Sequence, residues 1–193
     1  AFNLTRCRLA AARDDAARIQ DLAARLPVPG LPLMAGTFAG MTRYLAGEFP
    51  AARALLEGAL AHPAEQPPGL QTDFAVLCLS HLGCVLALLG FPEQARQADA
   101  RACSRARETG RYDEAVAAFC SAALAAMLRA PAAAERAAAD GIAITETHGF
   151  PMWLPSSRVV HGWAVAVGRR DDAGVDEARA GLAGLDDVGF ERD

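Results

Sequence analysis

The stretch "SHLGCVLALLGFPEQARQADA", residues 80–100, decides the fold. Gly83 sits inside a run that otherwise reads as helix. Gly90-Phe91-Pro92 must end that helix, and proline suits the first turn of the next one, where its missing N–H costs nothing. Ala95 follows Gly83 by twelve positions. A glycine in a helix interior costs up to about 1 kcal/mol relative to alanine. The cost is offset when two antiparallel helices leave a short turn and touch closely. Each must then supply one small residue, at matched distances from the turn.

The same pairing recurs along the chain. Gly40 is followed by Ala52, Ala122 by Ala134, and Gly162 by Gly174, again twelve apart. Successive pairs begin 43, 39 and 40 positions on. Seven residues after each first member comes a break, at Gly47, Gly90, Arg129 and Arg169, the last beside Gly168. Proline follows three of the four breaks, as Pro50, Pro92 and Pro131. A fixed period of about forty residues is the mark of stacked helical hairpins.

The bulk composition agrees. The chain has 193 residues, 52% hydrophobic and 22% charged, which suits a folded core. Alanine, the best helix former, is the most frequent residue, and no segment alternates like a strand. No long uncharged apolar run offers a membrane span. The net charge of −4 argues against direct nucleic-acid binding. All 19 cationic side chains are arginine, which reads as a coding bias and not as a binding device. Five cysteines, four of them in helical stretches, read as reduced core thiols of a cytoplasmic protein.

These features predict an all-α, right-handed superhelical array of antiparallel hairpins, a single domain over 1–193. A leading helix spans 4–26 with Leu9, Ala16, Ile19, Leu22 and Leu26 as its apolar face. Hairpins cover about 33–61, 74–109, 112–148 and 152–186. Thr72 or Asp73 is the expected N-cap after the loop 62–73. "GRYDEA" (110–115) imitates a hairpin turn, but accepting it leaves no room for a helix pair, so Gly110 is read as a helix-ending glycine. The leading helix has no partner before it, and the chain is expected to be part of a longer protein.

The small-residue pairs match the crossing positions of tetratricopeptide repeats, with a period longer than the usual 34. More narrowly, the chain resembles the helical-repeat region of large bacterial signalling ATPases, whose other domains are a nucleotide cyclase or a DNA-binding domain. "GEFPAARALLEGAL" (47–60), "LLGFPEQA" (88–95), "ETHGFPMWLPSSRVVHGWAV" (146–165) and "GRRDDAGVDEARAGLAGL" (168–185) carry the resemblance. Pro155 departs from that pattern. The ATPase and cyclase chemistry does not follow, because no GxxxxGK[ST] occurs and a chain without lysine cannot hold one.

Chemical constellations are sparse. "CLSHLGC" places Cys78, His81 and Cys84 at successive i+3 positions, three candidate zinc ligands without a fourth; packed core residues explain them equally. His148 reads as a helix-end residue favoured by the dipole, His161 as a hydrogen-bonded core histidine, and His62 as solvated. Asp171 and Asp172 suit a helix N-terminus. Arg96, Arg101, Arg105 and Arg107 scatter around one helix, with Arg111 just beyond it, and read as a solvated face. Met152 and Trp153 read as core.

The expected functional surface is the concave side, which first helices line in such arrays. It takes Met34, Thr37, Met41 and Tyr44, then Leu77, Ser80, Cys84 and Ala87, then Val116, Phe119, Ala123 and Ala126, then Ser156, Val159, Trp163 and Ala166. Met41, Tyr44, Ser80, Cys84, Phe119, Ser156 and Trp163 are its candidate binding residues. This apolar groove predicts a non-enzymatic, regulatory interaction module. Its partner would be a protein or peptide, or adjoining domains of a parent protein, with no metal, cofactor, nucleic acid or membrane; a homodimer is compatible. The alternatives are a small-molecule effector held near Tyr44, Phe119 and Trp163, and packing that simply fills the groove.

Overall fold

The computed structural model describes residues 3, 8–66, 70 and 72–187, and all its regular elements are helices. In chain order they are α1 (Leu9–Arg25), α2 (Leu31–Leu45), α3 (Phe49–Ala59), α4 (Phe74–Leu88), α5 (Pro92–Thr109), α6 (Arg111–Met127), α7 (Pro131–His148), α8 (Leu154–Arg169) and α9 (Ala173–Asp187). Of the expected start of the leading helix, residues 4–7 lie outside the described residues.

Four short turns join α2 to α3, α4 to α5, α6 to α7 and α8 to α9. Each holds one residue in the left-handed region: Gly47 (φ 75°), Gly90 (φ 85°), Arg129 (φ 57°) and Arg170 (φ 56°). The fourth break was expected at Arg169. It falls one residue later, because Arg169 still closes α8. In the first three turns the following N–H reaches back to a carbonyl five residues earlier. The bonds are Glu48 to Arg43 (2.9 Å), Phe91 to Leu86 (2.8 Å) and Ala130 to Ala125 (2.9 Å). They satisfy carbonyls that a helix end otherwise leaves unpaired. Pro50, Pro92 and Pro131 then open the second helices. Pro155, the departure from the pattern, sits in the first turn of α8, where it does no harm.

The small residues show how closely each pair packs. A Cβ built on Gly162 would lie 2.5 Å from the Ala178 amide nitrogen, and one on Gly174 would lie 2.5 Å from the Ala166 amide nitrogen. Gly181 would meet the Val159 nitrogen at 2.8 Å. Position numbers fall on one helix as they rise on the other, so α8 and α9 are antiparallel with their backbones in contact. Gly40 faces Leu56 and the Ala52 carbonyl, and Gly36 faces the Ala59 Cβ at 2.7 Å. Gly83 faces the Ala95 carbonyl at 3.3 Å. Ala122 and Ala134 are both fully buried, and Gly141 packs on the Ala118 Cβ at 3.4 Å.

Beyond the hairpins, α2 packs on α4, α4 on α6, and α6 on α8, while α3, α5 and α7 each also touch the next first helix. The first helices therefore form a continuous row. α4, which carries no Asp, Glu or Arg, is buried on all sides from Phe74 to Leu86 except at the half-buried His81. Its partner α5 buries only Ala95, Ala98, Ala102 and Ala106, one narrow stripe at helical spacing.

α1 reaches α2 through Ala12 and Ala16, its fully buried residues. The expected apolar face is therefore corrected: Leu22 and Leu26 are each 46% exposed. Beside them an open hollow of about 440 Å³ separates Gln20 and Ala24 of α1 from Ala35 of α2.

Asp73 caps α4, accepting from the Ala75 (2.8 Å) and Val76 (3.0 Å) amides. Arg105 does not join a solvated face. Its Nε and Nη2 grip the Asp73 carboxylate at 2.9 and 2.7 Å, and Nη2 also donates to the Ala64 carbonyl. The Asp73 amide donates to Asp113 Oδ1 at 3.0 Å, and Asp113 is 1% exposed. One guanidinium thus ties the start of α4, the end of α5, the start of α6 and the preceding loop. Arg96 and Arg111 pair locally with Glu93 and Glu114.

Two stability tests follow from the packing. Gly162→Ala pushes a methyl against backbone and should lower stability by about 2 kcal/mol or more. Gly58→Ala has open space around it and should raise stability by up to about 1 kcal/mol. Urea denaturation of the two variants reads both. Separately, Arg129→Gly removes the left-handed strain of a residue with a Cβ and should raise the thermal midpoint, by about 1 kcal/mol of stability.

Candidate functional site

Five of the seven expected binding residues, Met41, Tyr44, Phe119, Ser156 and Trp163, are half-buried on the first helices. Ser80 and Cys84 are not on a surface: they are 3% and 4% exposed, inside the core. Thr37, Leu77 and Val116 are buried too. α2 and α6 both pack against α4. The Tyr44 hydroxyl, on α2, lies within electrostatic range of the thiols of both Cys84 on α4 and Cys120 on α6. The half-buried rings of the first helices gather into two aromatic groups.

The first group joins α2 to α4. The Tyr44 ring stands edge-on to His81, with centroids 5.9 Å apart, and tilts against Phe49 at 6.2 Å. Burial, with the two thiols beside it, pushes the Tyr44 hydroxyl far above the usual tyrosine range. His81 Nδ1 lies 2.8 Å from the Leu77 carbonyl, so Nδ1–H is the donor. Burial lowers the His81 pKa, and the ring is held neutral.

The second group joins α6 to the start of α8. Phe119 and Trp153 lie 5.6 Å apart; Tyr112 meets Trp153 at 6.5 Å and Phe150 at 5.3 Å. Trp153 is packed on the core yet half-buried, and its indole nitrogen is buried with no hydrogen-bond partner among the described residues. Met152, expected in the core, is 40% exposed. Sequence reasoning missed His81 and Trp153 as parts of this face. The available signal was the single polar ring in α4 and the aromatic pair Phe150 and Trp153 around a proline.

The candidate zinc ligands do not converge. Cys78 Sγ donates to the Leu56 carbonyl at 3.4 Å, Cys84 Sγ points to the Cys120 carbonyl at 4.0 Å, and His81 turns back along its own helix. Among the described residues no group of three His, Cys, Asp or Glu could hold a metal ion. Burial pushes the Cys78 and Cys84 thiols up to about 12, so both stay protonated and non-nucleophilic at neutral pH. Cys78, Cys84, Cys103 and Cys120 are free thiols, and Cys7 lies outside the described residues.

The remaining histidines have ordinary settings. His161 Nδ1 lies 2.7 Å from Glu177 Oε2, joining α8 to α9. His148 ends α7 and stacks on Phe150 at 6.0 Å. His62 is exposed and borders two open hollows at the amino-terminal end. One, of about 440 Å³, is walled by Gln20, Ala24, Ala35 and Gly58; the other, of about 240 Å³, by Pro27 and Glu65. Neither reaches Tyr44, Phe119 or Trp163.

Among the described residues no helix is long and apolar enough to cross a membrane. Comparison with protein-family models, with curated proteins and with solved structures returns no match for this chain.

The lowered His81 pKa fixes a pH dependence. In the unfolded chain the imidazole takes up a proton near pH 6.5, while the folded protein resists until lower pH. The contribution of His81 is therefore intact above pH 6.5 and is lost as pH falls below it, with a slope of at most about 1.4 kcal/mol per pH unit. Chemical denaturation at pH 7.5, 6.5 and 5.5 should show the loss, and His81→Gln should flatten it over that window.

Proposed function

We propose that this chain is a non-enzymatic interaction module. In this reading the hairpins form a right-handed, tetratricopeptide-like superhelix within a larger bacterial cytoplasmic protein of the signalling or transcription-regulating ATPase type. The motifs at 47–60, 88–95 and 146–185 support that parentage. The partner is a peptide or an adjoining protein domain, seated on the first-helix face.

One observation carries the reading. The half-buried side chains on this face are mainly apolar and aromatic: Met41, Tyr44, Phe119, Trp153 and Trp163, with a neutral His81. Rigid aromatics supply much of the energy at protein interfaces. The charged groups are held elsewhere, in pairs such as Arg105 with Asp73 and Arg158 with Glu146.

Selection of amphipathic peptides against the chain, followed by calorimetry, tests this. Phe119→Ala and Tyr44→Ala should each weaken a selected peptide by about tenfold or more in folded variants, while Arg101→Ala on the outer helix α5 leaves it unchanged. Raising the salt concentration should have little effect, because few charges take part. A selected peptide indifferent to both aromatic substitutions would overturn the assignment of this face.

A further inference from the structure

The α8–α9 hairpin differs from the other three in ways that bear on one another. Its left-handed residue is Arg170, where two of the other turns have glycine. Its turn contains no proline: Arg170-Asp171-Asp172 stands where Gly90-Phe91-Pro92 and Arg129-Ala130-Pro131 stand in α4–α5 and α6–α7. Proline at those positions forbids a continuous helix, since it removes a backbone donor and clashes with the preceding turn. Nothing in Arg169–Ala173 forbids one.

The second helix is also held differently. α7 packs extensively on both α6 and α8, whereas among the described residues the one extensive partner of α9 is α8. From Ala173 to Leu185 only Gly174 and Gly181 are buried, and Val175 is 37% exposed. The contact is made of backbone against backbone at Gly162, Gly174 and Gly181, together with the His161–Glu177 pair. It is specific in shape, yet α9 covers no large side chain of its own. Detaching α9 therefore disturbs little else, and the surface it leaves on α8 accepts only a helix with glycines at the same spacing. A second copy of this chain supplies that helix.

We infer that α9 exchanges between two copies of this chain. In the exchanged dimer residues 169–173 continue as helix, α8 and α9 become one rod, and each α9 lies on the α8 of the other copy. The contacts between α8 and α9 are remade across a two-fold axis, so the packing terms cancel, while the turn bond from the Ala173 amide to Asp171 Oδ1 gives way to helical ones. What changes is the hinge: Arg170 leaves the left-handed region, where a residue with a Cβ is strained, for ordinary helical angles. Relief at two hinges per dimer favours exchange at high concentration, where the entropy lost on association is smallest.

Light scattering on the whole chain after size exclusion, at rising concentration, tests the inference. A slowly equilibrating dimer should appear at millimolar chain. Arg170→Gly with Asp172→Pro gives this turn the glycine and proline of its counterpart at residues 90–92, and should weaken dimerisation by on the order of tenfold or more. Arg170→Ala, better suited to the helical hinge and still strained when closed, should strengthen it. Circular dichroism confirms that each variant folds. A chain that stays monomeric at every concentration overturns the inference, and so does a dimer equally stable in the glycine–proline variant, since side-by-side association ignores the hinge.

Discussion

Close approach of paired helix backbones is the constraint on which the rest of this structure depends. At Gly162 and Gly174 there is no room for a methyl group, and at Gly40 and Gly83 a Cβ would press on Leu56 and on the Ala95 carbonyl. Helices that near each other leave little space for large side chains between them, Leu56 against Gly40 being an exception. The outer helices consequently contribute alanine stripes, as in α5, and little apolar volume. The bulk of the core must come from contacts between successive hairpins, which is where Phe74, Leu77, Val85, Val116 and Leu124 lie.

That division of labour explains α4. Flanked by α2 and α6 and backed by α3 and α5, it has almost no free side, and its sequence is apolar almost throughout. A helix so enclosed cannot present a binding groove. Tyr44 from α2 stands against His81 of α4, while Phe119 of α6 turns to Trp153 at the start of α8. Charged groups drawn towards this interior are matched, whereas the Ser80 and Ser157 hydroxyls and the Trp153 indole nitrogen are buried without a partner among the described residues. Arg105 neutralises Asp73, and Ser121 donates to Asp99 at 2.5 Å, whose acidity burial weakens. Buried charges without such partners would be costly.

Charge placement supports the same functional picture. Exposed ion pairs are mostly local, between residues three to five apart, as in Arg53 with Glu57 and Arg179 with Asp176. They solubilise the outer helices and contribute little stability individually. Burial holds the Cys78, Cys84 and Cys120 thiols protonated, and the aromatic face presents mainly apolar side chains.

Much of this was legible in the amino-acid sequence, and the physical reason is locality. A small residue, a turn and a second small residue twelve positions on describe one hairpin, and Asp73 before an apolar run describes one cap; both depend on neighbours in the chain. The helix boundaries and the close crossings at Gly40, Gly83 and Gly162 are of this kind. Tertiary structure alone decided what depends on how hairpins are inclined to one another. Ser80 and Cys84 have the spacing of an inner face, yet the helices packed around α4 bury them; Leu22 and Leu26 have the spacing of a core stripe, yet each is 46% exposed. Arg105 finds Asp73 from 32 positions away, a distance at which no periodicity carries information. The period tells which residues share a side of a helix, and only the angle between helices tells what covers that side.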